Sequence, residues 1–389
     1  MSKRIAVVGL GVLGAGVARS LALQGAEVTV FERSAALAGT SGTSFAWTNS
    51  HSKNPRSYHD LNVAGLAEHD ALAQNSAAQT WLVRNGNLEW AEDPTGADRL
   101  AASVAELADR GYPVEWITPQ RARELVPDLR VPDHVADIAH YPTEGHVFPA
   151  LLVSRLWGEA RDRGARLRCP ETVTGLSETD GGVRIELADG VAEADAVVLA
   201  VGRWTEALTA SAGHRVPVAD PDVAGSATVG MLGYTNPLPT RLDRVLTTPR
   251  LNVRPDGGGR LIVQGLDLDV DADPANPPAL DGYHAGQLCS RLNDLLDGTE
   301  GARLESLRIG QRAMPADGLT VAGFLGDRGR IYTLCTHSGI TLGPLLGRLA
   351  TQELLTGNPA EILADFRPQR LIGRTDLPTL QPARFAGQQ

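Results

Sequence analysis

The first residues in the chain whose types and spacing could do chemistry are three glycines, Gly9, Gly11 and Gly14. They follow an apolar run from Ile5 to Val8, typical of a buried strand, and they precede a stretch with helical spacing. In such a unit the first glycine permits a tight turn, the second lets the backbone approach a pyrophosphate, and the third lets the helix pack close to the strand. The helix N-terminus would offer free N–H groups to the phosphates.

An acidic residue completes this unit at the expected distance. A second strand, Glu27 to Phe31, is followed directly by Glu32, eighteen residues after Gly14. A carboxylate at this place can accept hydrogen bonds from ribose hydroxyls. A glycine-rich turn alone could be only a turn, but here the strand, helix, second strand and acid occur in order. The pattern predicts a dinucleotide site and leaves NAD and FAD as alternatives.

Composition excludes several classes of protein. The chain has 389 residues, 42% of them hydrophobic and 21% charged, which is typical of a globular protein of two or three domains. Its formal net charge of -10 argues against nucleic acid or an anionic membrane surface as a partner. No segment has the roughly 18 unbroken apolar residues of a membrane helix, and the N-terminus fits a strand better than a signal peptide. We therefore expect a cytoplasmic enzyme without an integral membrane segment.

The cysteines and lysines carry further information. Cys169, Cys289 and Cys335 are scattered without C-x-x-C spacing, which argues against a disulfide framework and gives no zinc site, so we expect no metal. Basic charge is almost entirely arginine, since Lys3 and Lys53 are the only lysines in the sequence.

A second polar loop follows the βαβ unit. The small residues from Gly39 to Ser44 cannot build a core, but they offer hydroxyl groups and close approach to the backbone. The loop could simply face solvent, yet its position favours a continuation of the ligand site. Trp47, Asn49, His51 and Lys53 come next, at what looks like the entry to a helix.

The nucleotide-binding pattern then stops and later resumes. Residues 81–140 contain short strand-like pieces and an alanine-rich helix, and we interpret them as an inserted element without chemistry of its own. A helix followed by Gly164-Ala165 and a strand repeats the layout seen at Gly25-Ala26. The apolar strand Ala196 to Val201 then ends at Gly202 and Trp204, so the first fold continues here.

The last third of the chain adds strands and one more helix N-terminus. Residues 229–265 alternate in hydrophobicity and include a hairpin around Asp256–Gly259. A strand from Ile331 to Cys335 leads through glycines to a helix expected from about Gly343 to Leu355. The proline-rich tail after Phe366 is expected to lie over the surface.

Several segments together resemble one family. They are GLGVLG with Glu32-Arg33, GTSGTS, EGHVFP, VVLAVGRW, RPDGGGR, QRAMPADGLTVAG and THSGITLGP. In this order they resemble the flavin-dependent superfamily of D-amino acid, glycine and sarcosine oxidases. The resemblance implies an α/β fold: a discontinuous Rossmann-like FAD-binding domain with an inserted antiparallel-sheet substrate domain. We predict residues 1–75, 141–225 and 311–375 for the first, 76–140 and 226–310 for the second, and 376–389 as a C-terminal tail.

The resemblance also implies a set of FAD-binding residues along the chain. The glycine turn and Glu32-Arg33 would hold the ADP half, the polar loop would line the path to the flavin, Val173 would meet the adenine through its backbone, and the THSGIT segment would lie along the flavin pyrimidine edge. The full set is Gly9, Gly11, Val12, Leu13, Gly14, Glu32, Arg33, Thr40, Ser41, Phe45, Ala46, Trp47, Val173, Gly202, Trp204, His337, Ser338, Gly339, Ile340 and Thr341. No cysteine lies where the sarcosine oxidases of this family attach their flavin, so the resemblance implies noncovalent FAD, with His51 as the alternative attachment site.

The resemblance implies that Arg312 corresponds to the arginine that binds the substrate carboxylate in the family. A guanidinium can hold a carboxylate through two parallel hydrogen bonds. The alternative for Arg312 is a structural salt bridge. The next residue is Ala313, where the family usually has proline, and THSGIT lacks the further arginine of glycine oxidases.

The function implied is oxidation of the C–N bond of an amine or amino acid by hydride transfer to flavin N5, giving an imine. Arg312 would orient the substrate, and Trp47, His51, Lys53 and Tyr234 are weaker pocket candidates. Lys53 could supply positive charge for oxygen reduction or could be a solvated lysine. The electron acceptor would be O2 or a quinone. The alternatives are a dehydrogenase passing electrons to a quinone or partner protein, a biosynthetic oxidase of an amine without a carboxylate, and a non-catalytic flavin-binding subunit.

Overall fold

A computed structural model describes residues 2–74 and 80–387. The helices are α1 (Val12–Leu23), α2 (Arg56–Gln74), α3 (Pro94–Asp109), α4 (Pro119–Leu125), α5 (Pro149–Asp162), α6 (Thr205–Ser211), α7 (Tyr283–Leu295) and α8 (Gly339–Thr356). The strands are β1 (Arg4–Val8), β2 (Glu27–Phe31), β3 (Trp47–Thr48), β4 (Leu82–Val83), β5 (Asn87–Glu89), β6 (Glu115–Ile117), β7 (Ile138–Tyr141), β8 (Gly145–Val147), β9 (Arg166–Arg168), β10 (Val173–Glu178), β11 (Val183–Leu187), β12 (Gly190–Ala194), β13 (Ala196–Leu199), β14 (Val229–Thr235), β15 (Val245–Thr247), β16 (Asn252–Gly257), β17 (Arg260–Gln264), β18 (Leu304–Gln311), β19 (Val321–Leu325) and β20 (Ile331–Cys335).

A six-stranded sheet forms the first layer, in the order β19-β20-β13-β1-β2-β9. All its strands run parallel except β19, which pairs antiparallel with β20. Ile5 and Val7 pack with α1, α5 and α8 on one face, whereas Ala6 and Val8 pack with the small sheet β10-β11-β12 on the other. Both faces of β1 are therefore covered, which explains the continuous apolar run in its sequence.

The strands of this sheet come from separated parts of the chain. The stretches between them supply an eight-stranded sheet in the order β18-β14-β17-β16-β15-β5-β7-β6. That sheet is antiparallel apart from the pair β5 and β15. The predicted fold class, a discontinuous Rossmann-like domain with an inserted sheet, is confirmed. The exact domain bounds stay a prediction, and the bound between 75 and 76 lies outside the described residues.

The inserted sheet has one apolar and one more polar face. Val253 and Val263 pack in an apolar cluster with Leu288 and Leu292 of α7. Residues at alternate positions point the other way because side chains alternate along a strand. Two such residues, Asn252 and Gln264, are direct partners across β16 and β17. They face the layer formed by the parallel sheet.

Helix α8 begins at Gly339, one turn earlier than the start expected near Gly343. Pro344 has no N–H group, so it cannot donate to the carbonyl of Ile340 within the helix. His69 of α2 lies 2.8 Å away through its Nε2 atom and supplies the missing donor to that oxygen. A contact from another helix thus compensates for the missing donor and lets the proline lie inside α8.

Helices α1 and α8 cross with their backbones in contact. A Cβ atom on Gly16 would lie 2.6 Å from the carbonyl oxygen of Gly343, and one on Gly347 would overlap the backbone of Gly16. The glycines let the two helices run so close that both N-termini reach the same side of the parallel sheet. Among residues 2–74 and 80–387, no helix combines the length and apolar character needed to cross a membrane.

We expect Gly347→Ala to lower the free energy of unfolding by about 1–3 kcal/mol, because its methyl group would force α1 and α8 apart in a close-packed core. Denaturant unfolding measures this change. Gly158→Ala is the matched control, since Gly158 lies in α5 with open space around its Cβ position. This control should raise stability by up to about 1 kcal/mol through helix propensity. Equal effects of the two substitutions would contradict the role given to the helix crossing.

Candidate active site

A cavity of about 310 Å³ runs across the carboxyl ends of the parallel strands. This is the place where open α/β sheets bind ligands. Its lining combines the turn after β1, the end of β2, the polar loop, the start of β10, the turn after β13 and the N-terminus of α8. The predicted cofactor residues on it are Gly9, Gly11, Val12, Leu13, Glu32, Arg33, Thr40, Ser41, Val173, Gly202, Trp204, His337, Gly339 and Ile340.

The turn after β1 depends on glycine for two separate reasons. Gly9 has a φ of +97°, and a Cβ there would lie 2.6 Å from the carbonyl oxygen of Ala200. Gly14 is not on the cavity wall, and its Cβ would overlap the carbonyl of Gly9. Gly14 therefore acts on packing, which is the role that the spacing indicated.

The carboxylate of Glu32 is held in place by backbone groups. Its Oε2 accepts a hydrogen bond from the N–H of Leu10 at 2.8 Å, and its Oε1 accepts one from Ser34 at 3.0 Å. Each oxygen keeps a second lone pair for another donor. The side chain is thus fixed on the wall of the cavity while it can still accept from ribose hydroxyls.

The rim of this cavity carries two stacked cations. The guanidinium carbons of Arg33 and Arg203 lie 4.2 and 4.1 Å from the ring centroid of Trp204. Both contacts are within the range of cation–π attraction. They place positive charge beside a cavity whose other lining residues are mainly glycines, small hydroxyl residues and apolar side chains.

Two helix N-termini meet the cavity. Gly11 and Ser338 directly precede α1 and α8, and neither helix start is capped by a side chain of that residue. The N–H of Val12 is donated to Ser41 Oγ at 3.2 Å, and Ser338 Oγ is engaged by the hydroxyl of Tyr58 at 2.7 Å. Such helix ends favour negative charge. One suits a pyrophosphate, the other the electron-rich edge of a flavin ring, so the residues present fit FAD.

A second cavity of about 190 Å³ lies between the parallel sheet and the inserted sheet. Thr40, Ser44, His337 and Ile340 line both cavities and so mark where they adjoin. Phe45, Ala46, Trp47, Ser338 and Thr341, predicted for the cofactor, line the second one. Its polar wall also includes Asn49, Lys53, Asn252, Gln264 and Arg312.

Arg312 is anchored on one side and open on the other. Its Nη1 donates to the carbonyl oxygens of Ala227 at 2.8 Å and Val229 at 2.6 Å. Its Nη2 lies 3.8 Å from Asp269 Oδ2, so the ion pair considered as an alternative is present. A Cβ on Gly230 would lie 2.8 Å from Nη2, and the glycine therefore leaves this edge of the guanidinium facing the cavity.

Asp269 offsets the charge of that arginine below the cavity wall. Burial raises the pKa of its carboxyl to about 6, while the charge of Arg312 opposes the rise. Its oxygens accept from the N–H of Met231 at 2.7 Å and from Gln264 Nε2 at 2.8 Å. Asp269 thus fixes both Arg312 and Gln264, two of the polar groups on the cavity wall.

Lys53 is buried in the second cavity, with 3% of its surface exposed. The alternative of a solvated lysine is therefore wrong. Burial, with a smaller contribution from the charge of Arg312, lowers its pKa to about 7, while the charge of Glu144 opposes the fall. Glu144 accepts hydrogen bonds from Trp47 Nε1 and from the hydroxyl of Tyr112, each at 2.9 Å, and burial raises its pKa to about 8.

Two of the predicted pocket residues lie outside the lining of both cavities. His51 is 1% exposed, packs edge-on against Tyr141 at 4.7 Å between ring centroids, and has its pKa lowered to about 3 by burial. Tyr234 lies on β14, where the Arg308 guanidinium covers its ring at 4.8 Å. Their placement gives no support to a role beside the substrate. The described residues contain no group of three or more His, Cys, Asp or Glu that could hold a metal ion.

The C-terminal segment is a wall of the second cavity, and the expectation that it lies over the surface is wrong for this part. Phe385 stacks under the guanidinium of Arg99 at 4.2 Å, and Gly387 lies against His51. The residues of the segment that line the cavity are Leu380, Gln381, Ala383, Phe385, Ala386 and Gly387. No local pattern in the sequence indicates this, because each contact joins residues far apart in the chain.

Residues 81–140 also contribute more than expected. Tyr112 donates to Glu144 and accepts from the N–H of Ser50 at 3.1 Å, and Glu89 accepts from Tyr141 at 3.1 Å. The inserted element thus supplies part of the buried polar layer behind Trp47. The polar residues Asn252 and Gln264, at alternate positions of apolar strands, are a signal in the sequence that could have been used to find the cavity face.

Comparisons with known proteins agree with this geometry. Residues 4–353 match the family described as FAD dependent oxidoreductase. A glycine oxidase of Geobacillus kaustophilus (strain HTA426) is 27% identical over 380 residues, which cover 95% of this chain and 97% of that protein. The 4-methylaminobutanoate oxidase (formaldehyde-forming) of Paenarthrobacter nicotinovorans is 25% identical, and the match covers 95% of this chain and 46% of that protein.

A solved structure shows the same architecture over the whole length. The crystal structure of glycine oxidase from Geobacillus kaustophilus superposes with a TM-score of 0.81 at 25% identity, covering 96% of this chain and 100% of that one. The family match extends from β1 into α8 and so includes both helix N-termini at the long cavity. The chain belongs to the FAD dependent oxidoreductase family.

Proposed function

We propose that this enzyme oxidises the C–N bond of a small amine that carries a carboxylate, giving an imine that water hydrolyses. The observation that carries the proposal is the open edge of the Arg312 guanidinium, left free by Gly230 in a cavity that adjoins the predicted flavin site. Glycine and 4-methylaminobutanoate, named in two relatives, are both amines with a carboxylate. Both could use such an arginine.

The roles of the residues follow from their positions. FAD, when bound, supplies the acceptor for the hydride that leaves the substrate carbon. Arg312 would bind the carboxylate through charge-assisted hydrogen bonds and so fix the carbon that reacts. Asn252 and Gln264 would complete the polar wall, and the segment ending at Gly387 would keep water out of the cavity.

The cofactor residues named from the sequence remain part of this proposal. The glycine turn and Glu32 would bind the ADP half, and the N-terminus of α8 would face the flavin. We propose noncovalent binding of FAD. The electron acceptor is O2 or a quinone, and a cytoplasmic location stays a prediction.

The direct test is an anaerobic screen of the purified holoprotein with D-, L- and N-methyl amino acids. We expect at least one of them to bleach the absorbance of oxidised flavin. Peroxide measured after O2 is admitted then separates an oxidase from a dehydrogenase. A protein that binds FAD but is bleached by no amine contradicts C–N oxidation.

Glu32→Ala should raise the Kd for FAD about tenfold to a hundredfold, because hydrogen bonds to a charged group contribute roughly 1.5–3 kcal/mol. Titration of the apoprotein with FAD, followed by flavin fluorescence, measures this. Glu27→Ala is the control, since Glu27 begins β2, the strand that Glu32 follows, and pairs with Arg166 at the surface. If both variants bind FAD like the unmodified protein, Glu32 is not a ligand.

Gly230→Ala should weaken the binding of substrates that carry a carboxylate, since its methyl group would lie 2.8 Å from Arg312 Nη2. The substitution removes no hydrogen-bond partner of Arg312. We expect Gly230→Ala and Arg312→Lys to lower kcat/KM for an amine with a carboxylate by about tenfold to a hundredfold. The same amine without the carboxylate serves as the control substrate, and kcat/KM for it should change little. An equal loss on both substrates would place Arg312 outside the binding site.

A further inference from the structure

Lys53 is unusual in this chain because of its residue type. Lysine and arginine together number 36, yet only Lys3 and Lys53 are lysines. Lys3 is exposed at the N-terminal end, whereas Lys53 is buried in the second cavity. An arginine stays charged in proteins, but a buried lysine can release and take up a proton. The residue type therefore fits proton exchange better than a permanent charge.

The surroundings of Lys53 are both charged and apolar. The titratable or charged groups that face it are Glu144, Arg312, His51, Tyr58 and Arg110. Tyr58 presents its ring 6.0 Å from Nζ, and Arg110 donates to the Lys53 carbonyl oxygen at 3.0 Å. Burial and Arg312 disfavour the charged form, and Glu144 favours it, so the pKa lies at about 7.

The substrate of the proposed reaction needs to lose a proton in this cavity, and a role for Lys53 in that step depends on the proposed function. At neutral pH an amino acid enters as an ammonium ion. The nitrogen lone pair, which must assist departure of the hydride, is absent from that form. With the carboxylate on Arg312, the ammonium lies in the same cavity of about 190 Å³ as Lys53.

We propose that Lys53 is the base that accepts the proton of the bound substrate ammonium. The N–H bond of the ammonium breaks, its electron pair stays on the substrate nitrogen, and the proton forms a new N–H bond at Nζ. No electrons are gained or lost in this step. The carboxylate of the substrate would neutralise Arg312 and so remove one of the charges that disfavour protonated Lys53.

This coupling sets the pH dependence. Neutral Lys53 can accept the proton of the substrate ammonium, so kcat/KM should rise with pH through about 7. It should then level off, because at higher pH the substrate enters as the free amine, which needs no base. Without a base the rise should move to the pKa of the substrate ammonium, about 2 to 3 pH units higher. We therefore expect kcat/KM at pH 7 to fall on the order of 100-fold and to recover at high pH.

The test compares Lys53→Met, which has a similar length without a proton site, with Lys53→Arg, which keeps a permanent charge. In both variants kcat/KM should no longer rise near pH 7. If Lys53→Arg keeps the original profile, the rise near pH 7 does not come from titration of Lys53 and the proposal is overturned. If Lys53→Met keeps it, Lys53 has no role in the reaction. Lys3→Arg is the matched control and should leave the profile unchanged.

A second measurement needs no turnover. Acetate bound at Arg312 should favour the charged form of Lys53. Binding at pH 8 should therefore be accompanied by proton uptake. Calorimetry of the holoprotein detects this uptake as a binding heat that differs between phosphate and Tris buffers. The Lys53→Met and Lys53→Arg variants should bind acetate without proton uptake. Acetate binding to the unmodified protein without proton uptake overturns the proposal. Absence of flavin bleaching by any amine would instead refute the proposed function. The acetate result would still decide whether Lys53 takes up a proton when a carboxylate binds at Arg312.

Discussion

The close crossing of α1 and α8 is the contact on which the site depends. Because Gly16 and Gly347 have no side chains, the two backbones touch, and the two helix N-termini reach the same edge of the parallel sheet. One end lies at the glycine turn and the other where the two cavities adjoin. A cofactor with a pyrophosphate and a flavin ring can therefore be held at two points by backbone N–H groups, and these contacts need no particular side chain.

Burial then decides what the second cavity can bind. Each of its two cations faces a buried carboxylate: Arg312 faces Asp269, and Lys53 faces Glu144. Unpaired charges would be costly there, since taking an ion out of water costs several kcal/mol. The pairing keeps the cavity close to neutral, which suits a substrate that itself carries an ammonium and a carboxylate.

The sequence predicted those parts of the site that are local. The turn at Gly9, the acid at Glu32 and the THSGIT segment all follow from short patterns, and the structure places them around one cavity. The two pocket candidates His51 and Tyr234 do not line the cavities. Residue type and position in the chain favour both, but their neighbours are set by tertiary contacts, such as the strand register that places Arg308 over Tyr234.

The sequence by itself determined the order of elements, the interrupted nucleotide-binding pattern and the family resemblance, because these depend on spacing along the chain. Only the tertiary structure decided that Lys53 is buried beside Glu144, that Gly230 opens one edge of Arg312, and that the segment ending at Gly387 forms a cavity wall. The physical reason is that burial and pairing join residues far apart in the chain. Which of these distant residues come into contact is set by packing, and the local sequence pattern does not determine it.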